Sequence, residues 1–195
     1  MQSKSHYPKK LKELGILRER ITDEEISSCL RRFKYRFRLA KSFELIVAPT
    51  LDKRTIYGYS AVMKVLLAYS AFDEIRWAKS RILNIKGAIH YIENEKLANK
   101  LRSEKLDNLK NALIKSTALK DKALKKDLND FYEPEPKHND VMCIASVLRN
   151  SFAHGVFTAG GASLNTKREA NVVFELAECL LDKTEEMLDE ILAKY

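Results

Sequence analysis

An arginine and a histidine near the end of one apolar segment are the residues of this chain best suited to chemistry. Arg149 lies five positions before His154, and Asn150 follows the arginine directly. Arginine carries a permanent charge on a planar fork that fits a phosphate group, and histidine titrates near neutral pH. Together they supply what an RNA 2′-hydroxyl needs to attack its own phosphate, namely proton transfer and stabilisation of the developing charge. That reaction requires no metal ion.

The five-residue spacing restricts how Arg149 and His154 can act together. Five residues turn an α-helix by about 500°, which leaves the two side chains about 140° apart. The pair therefore does not suit chelation of a metal ion. It can flank a cleft at the helix end, in particular a cleft shared with a second copy of the same helix. A structural pair that caps the helix end is the alternative interpretation.

The elements that must position this pair are predicted to be helical nearly throughout, which gives an all-α bundle of one domain, residues 1–195. The predicted helix of residues 23–48 begins with a capping box at Thr22 and Glu25. The third predicted helix, residues 60–83, is apolar on nearly all sides, so we expect it at the centre of the core. Leu11, Leu14 and Leu17 mark a short first helix, and the longer predicted helices are residues 23–48, 60–83, 141–153 and 167–193.

The middle of the chain is rich in lysine and also has a helical pattern, from residue 94 to residue 132. The leucines of this segment recur at a spacing that indicates packing. Residues 133–140, EPEPKHND, are predicted to be a linker because they contain two prolines, and Asn139 or Asp140 is expected to cap the next helix. His138 lies in this linker without a second metal ligand nearby, and we predict no metal site and no cofactor.

Two adjacent carboxylates, Asp73 and Glu74, interrupt the apolar third helix. A carboxylate on a core helix needs a partner, because burial of an unpaired charge is costly. A structural salt bridge is one interpretation. The other is that one of the two carboxylates positions an arginine of the site.

Charge is distributed unevenly along the chain, which carries a net charge of +8. Residues 1–120 have a balance of +13 and residues 121–195 have a balance of −5. This asymmetry indicates either a polyanionic partner or two faces that attract each other within the fold or within a dimer. Three cations on the second helix, Arg32, Arg36 and Lys41, are candidate RNA contacts. The alternative for this face is a solvated basic surface.

Composition excludes several classes of protein. Six glycines and four prolines are too few for a turn-rich all-β architecture or for disorder. The apolar stretches are too short to span a bilayer, so we expect no membrane partner. Cys29, Cys143 and Cys179 are far apart and odd in number, and the N-terminus lacks the apolar region of a secretory signal. We therefore expect no disulfide framework and a cytoplasmic location.

The run RNSFAH, residues 149–154, on the penultimate strong helix of an all-α chain, resembles the signature of HEPN domains. The run AYSAFDEI, residues 68–75, also resembles the helix that packs against this motif in that superfamily. The resemblance covers residues 22–92 and 138–195. It implies a HEPN-like helical bundle in which residues 93–137 are a Lys-rich helical insertion and linker.

This resemblance implies a metal-independent endoribonuclease whose composite site forms from two motifs, and hence a homodimer that acts on RNA. By the same resemblance, Arg149 would bind or polarise the scissile phosphate, and His154 would act as general base or acid. Asn150 would orient the motif through hydrogen bonds, and Asp73 or Glu74 would hold Arg149.

HEPN proteins include toxins and defence effectors, so the resemblance also implies an antitoxin or regulatory protein as a partner. In toxins silenced by a nucleotidyltransferase antitoxin, a tyrosine often stands two places after the histidine. That place is Val156 in this chain, so the resemblance does not extend to this mode of control. A non-catalytic HEPN module that binds nucleic acid or protein is the alternative function.

Overall fold

Helices make up the regular structure of this protein. The computed structural model describes residues 7–85, 91–117, 121–153, 164 and 166–194. These residues form eight α-helices and the short 3-10 helix Glu104–Leu106, with no β-strand, so the prediction of an all-α fold is confirmed. The α-helices are α1 (Tyr7–Arg20), α2 (Glu24–Ser42), α3 (Lys53–Ile82), α4 (Glu95–Leu101), α5 (Asp107–Thr117), α6 (Lys122–Tyr132), α7 (Met142–Ala153) and α8 (Lys167–Leu192).

The longest helix, α3, lies at the centre of the bundle, as its apolar sequence predicts. Helices α2 and α8 pack along it, and α1 lies across both of them. Helix α7 packs on another side of α3 and is covered in turn by α5 and α6, while α4 packs on α8. The core is closed by large side chains that are fully buried, among them Phe33, Phe37, Phe72 and Phe131. None of the described helices combines the length and the apolar character needed to cross a bilayer.

Helix α2 differs at both ends from the prediction. The cap is Asp23, not Thr22, because the Asp23 carboxylate accepts hydrogen bonds from the backbone N–H groups of Glu25 and Ile26, at 2.9 and 3.0 Å. The helix ends at Ser42, where the chain becomes extended and enters a loop. The predicted end at residue 48 was therefore wrong, and Val47, an apolar residue within the predicted range, is 93% exposed.

Helix α3 begins seven residues earlier than its apolar run predicts. Asp52 caps it by accepting bonds from the backbone N–H groups of Arg54 and Thr55 and from the Thr55 hydroxyl, the last at 2.6 Å. The residues predicted to be loop up to residue 59 therefore form the first turns of the helix. This extension matters because it carries Tyr57 and Tyr59, which contact α8 and α7.

The lysine-rich middle of the chain breaks into three α-helices and the 3-10 helix. Ser103 and Asp121 cap new segments, so the continuous helical pattern is interrupted at those positions. Among the described residues its leucines pack as predicted; Leu119 lies outside them, Leu124 is partly buried, and the buried ones are Leu97, Leu101, Leu106, Leu109, Leu113 and Leu128. The linker 133–140 is confirmed as non-helical.

The two ends of this middle segment are joined to each other. The Ile92 backbone N–H donates to the Asp140 carboxylate at 2.7 Å, and the Val141 N–H donates to the Ile92 carbonyl at 3.0 Å. Asp140 also accepts from the Met142 N–H and so caps α7, as the sequence predicts. The segment therefore leaves the bundle and returns to it at one point, directly before α7.

Candidate active site

Arg149 lies in the last turns of α7 and is exposed to solvent. Its guanidinium carbon is 5.2 Å from the centre of the Tyr69 ring of α3, and its Nη1 donates to the Asn150 side-chain oxygen at 3.1 Å. A guanidinium over an aromatic face is attracted by the electrons of the ring. Two of the predicted site residues, Arg149 and Asn150, are thus brought into contact, and Asn150 orients the arginine.

Two contacts between α7 and α3 fix the position of this turn. The Tyr69 hydroxyl lies 3.3 Å from the Ser146 hydroxyl, within hydrogen-bond distance, one turn before Arg149. The Phe152 ring meets the Tyr59 ring edge to face, with centroids 6.1 Å apart, almost one turn after it. Arg149 is therefore held at a defined place on the bundle surface while its fork faces water. His154 lies outside the described residues.

Asp73 and Glu74 make their bonds away from Arg149. Glu74 accepts from Arg32 Nε at 3.0 Å and forms an ion pair with Arg36 at 2.7 Å. Asp73 pairs with Arg76 one turn further along α3, at 2.8 Å. The structural salt bridge, one of the two interpretations of these carboxylates, is present at both positions.

Glu74 also accepts a bond from the buried Cys29 thiol, at 2.9 Å. Burial alone would raise the pKa of the Glu74 carboxyl, but the bonds from Arg32 and Cys29 and the charge of Arg36 outweigh it and lower that pKa. Burial and the neighbouring carboxylate raise the pKa of Cys29 to about 12. This cysteine is therefore a protonated structural thiol, not a nucleophile.

The cations predicted to contact RNA are engaged within the chain. Arg32 and Arg36 share Glu74, and the Lys41 ammonium lies 3.6 Å from Glu185 and 3.7 Å from Asp182 of α8. The side chains of Arg32 and Arg36 keep 49% and 42% of their exposure, whereas that of Lys41 keeps 16%. A partner could still reach the two arginines, but only in competition with Glu74.

The acidic face of α8 explains much of the charge asymmetry in the sequence. Four lysines from three other helices pair with it within the same chain, at distances of 2.5–3.0 Å. These pairs are Lys10–Glu185, Lys64–Glu178, Lys79–Glu190 and Lys100–Glu175. Attraction between two faces within the fold, one of the two interpretations of the asymmetry, is therefore present.

The end of the bundle toward which α7 runs is electropositive, and Phe152 of α7 contacts Tyr59 near it. Helices α3 and α8 begin there, since the Tyr57 hydroxyl of α3 donates to Asn171 of α8 at 2.7 Å, and helix N-termini carry partial positive charge. Lys53, Arg54 and Lys167 in their first turns are exposed and form no ion pair with another described residue. An anionic ligand would be attracted to this end, and sequence reasoning missed these residues because α3 was predicted to begin later.

Within the part of the chain that the structure describes, three or more His, Cys, Asp or Glu side chains nowhere converge so as to hold a metal ion. The arrangement offers instead an oriented, exposed guanidinium over Tyr69 of α3, which can bind a phosphate group. Comparison with family models, curated proteins and solved structures gives no match to this chain.

Proposed function

We propose that this protein is a metal-independent endoribonuclease of HEPN type that cleaves RNA through attack of a 2′-hydroxyl on the adjacent phosphate. The observation that carries the proposal is the state of Arg149. Its guanidinium is exposed, is oriented by Tyr69 and Asn150, and forms no ion pair with a carboxylate among the described residues. Arg32 and Arg36, which serve the fold, both pair with Glu74.

The proposed reaction assigns one task to each side chain. The 2′-oxygen bonds to phosphorus while its proton passes to a base, and the bond from phosphorus to the 5′-oxygen breaks while that oxygen takes up a proton. His154 carries out one of these transfers, and Arg149 stabilises the charge on the phosphate oxygens. The products are a 2′,3′-cyclic phosphate and a 5′-hydroxyl.

A second copy of the chain completes the site in this proposal. One copy supplies a single Arg149–His154 pair, whereas the reaction needs both a proton acceptor and a proton donor. The loop between α2 and α3 supports self-association at this end, because Leu45, Val47 and Leu51 are large apolar side chains exposed there. We therefore place the two-fold axis of a homodimer near α7 and this loop.

Cleavage of pooled cellular RNA in the presence of EDTA tests the proposal. We expect the wild-type protein to leave 2′,3′-cyclic phosphate ends and to spare a 2′-deoxy substrate. His154→Ala should lose about 10²–10⁴-fold in rate, the usual worth of general acid–base catalysis. Arg149→Lys should also be slow, because an ammonium cannot form the two parallel bonds of the guanidinium.

Arg31→Lys is the matched control, since Arg31 is exposed on α2 and has no ion pair with a described residue. It should cleave like the wild type. Unchanged cleavage by His154→Ala would contradict the site, and cleavage of the 2′-deoxy substrate would contradict the mechanism. RNA binding without cleavage would instead support the non-catalytic module.

A further inference from the structure

A groove of about 760 Å³ lies between α4 with the following 3-10 helix on one side and the first turns of α8 on the other. We call it the basic groove, since four of its lining residues are the exposed cations Lys96, Lys105, Lys167 and Arg168. The amide side chains of Asn99 and Asn171 lie among them and can donate further hydrogen bonds. The groove thus joins the lysine-rich middle segment to α8.

The charge of the basic groove is not neutralised within the described residues. A fifth cation, Lys100, pairs with Glu175 at 2.6 Å, and this glutamate is the only acidic residue among the described lining residues. The four exposed cations named above form no ion pair with a described residue. Elsewhere the lysines that face α8 are paired, as Lys64 is with Glu178. Four unpaired cations around one concave surface are complementary to a polyanion.

The basic groove and Arg149 are separated along α3. Tyr57 of α3 bonds to Asn171 in the wall of the groove, whereas the Arg149 guanidinium lies over Tyr69, twelve residues further along the same helix. Twelve residues advance an α-helix by about 18 Å along its axis. An extended chain that leaves the groove along α3 must therefore span about this distance to reach Arg149.

We propose that the basic groove binds the sugar–phosphate backbone of single-stranded RNA and leads it toward Arg149. The link to cleavage, and with it the choice of a single strand, rests on the proposed function, whereas the binding of a phosphate backbone does not. A single strand is the expected form, because in-line attack by a 2′-hydroxyl needs a nucleotide free of A-form constraints. The cations contact phosphates, so binding depends on length and salt more than on sequence.

A fourfold variant, K96Q/K105Q/K167Q/R168Q, tests the groove by fluorescence anisotropy with a labelled 2′-O-methyl oligouridine, which lacks the attacking hydroxyl. The slope of log affinity against log salt should fall in magnitude by about 2.8, since each phosphate contact on a single strand contributes about 0.7. The matched control is K12Q/R20Q/K122Q/K125Q, which removes three exposed lysines and one exposed arginine that lie on other surfaces and form no ion pair with a described residue. It should keep the wild-type slope, and thermal unfolding should confirm that both variants are folded.

Several results would contradict the proposal that the basic groove binds RNA. These are wild-type affinity in the groove variant, an equal loss in the control, no binding by the wild type, or tighter binding of duplex than of single-stranded RNA. Failure of the proposed function is distinguishable from these. If the groove variant alone loses binding and the wild type does not cleave unmodified RNA, the proposed RNA binding is supported and the proposed nuclease activity is contradicted. If cleavage occurs and the groove variant binds normally, the proposed nuclease activity is supported and the proposed RNA binding by the groove is contradicted.

Discussion

Arginines in this protein occupy two contrasting environments. Arg32 and Arg36 converge on Glu74, which also accepts a bond from the Cys29 thiol, so this cluster stabilises the contact between α2 and α3. Arg149 has a ring beneath it and is oriented by an amide beside it, which engages Nη1 and leaves the edge formed by Nε and Nη2 without a hydrogen bond to a described residue. The charge of an arginine is thus balanced by a carboxylate where the residue serves packing. Where we place the chemistry, no carboxylate among the described residues balances it.

Replacement of Glu74 by glutamine tests the structural role of this cluster. We expect Glu74→Gln to lower the free energy of unfolding by roughly 1–2 kcal/mol at neutral pH, because hydrogen bonds to a charged group are lost and the two arginines are partly screened by solvent. The pKa of Glu74 is lowered in the fold, so its stabilising effect is present above the ordinary value of 4.5 and is lost as the pH falls through the folded value. Urea unfolding measured from pH 7 to pH 3 should therefore show the variant and the wild type converging.

Asp73→Asn is the control for this measurement, since Asp73 is more exposed and pairs with one arginine of its own helix. It should change stability less. A cleavage rate reduced in Glu74→Gln at a temperature where the variant is folded would show that Glu74 acts on the site, against our structural assignment.

At the scale of elements, the start of α8 matters most, because Lys167 and Arg168 occupy its first two positions. A reciprocal capping box holds that turn. The Glu169 N–H donates to the Thr166 hydroxyl at 3.2 Å, and the Thr166 N–H donates to the buried Glu169 carboxylate at 2.8 Å. The helix start, and with it the wall of the basic groove, is therefore defined by residues of α8 itself.

Removal of this cap should destabilise the protein. We expect Thr166→Ala to cost about 0.5–2 kcal/mol, the usual range for loss of an N-cap side chain, as measured by urea unfolding. Thr22→Ala is the matched control, because Asp23 caps α2 and Thr22 does not. An equal loss in the two variants would contradict this account of the helix start.

The sequence predicts the existence of the helices better than their limits. Apolar periodicity located α3, α7 and α8, but Thr22 and Asp23 are adjacent and either can cap a helix, so only the backbone geometry decides between them. Residues 53–59 are mixed in polarity, and the cap at Asp52 outweighs their weak apolar pattern.

The sequence likewise predicts only part of the candidate site. Arg149 and Asn150 are neighbours in the sequence, so their pairing follows from their type. Tyr69, far away along the chain, joins them only because α7 packs on α3. The basic groove is invisible to local patterns, since its two walls come from residues 96–106 and 167–175 and each lysine alone is indistinguishable from a solvated one.

At the scale of the whole molecule, α8 acts as an internal counter-charge for lysines of α1, α2, α3 and α4. The four exposed cations of the basic groove are among those that form no ion pair with a described residue. Net charge alone therefore overstates how much of the surface can attract RNA, and the unpaired cations are the relevant part.

Self-association is the prediction that belongs to this scale. We expect a dimer by sedimentation at tens of micromolar, and a shift to monomer in Val47→Glu, because a charge in an apolar interface is costly. The same variant should lose cleavage, since each monomer keeps only half of the site. Leu39→Glu, on the exposed face of α2, should do neither. A wild-type monomer that cleaves RNA would contradict the composite site.

The hydrogen bonds that join the two ends of the middle segment allow the length of this segment to change during evolution. The chain leaves at Ile92 and returns at Val141 through adjacent hydrogen bonds, so the length between them places no demand on the spacing of α3 and α7. Insertions and deletions there are geometrically neutral, but α5 and α6 cover α7 and cannot be lost without replacement. Changes in this segment can therefore vary the wall of the basic groove, and with it the ligand proposed to bind there, while the helix that carries Arg149 stays covered.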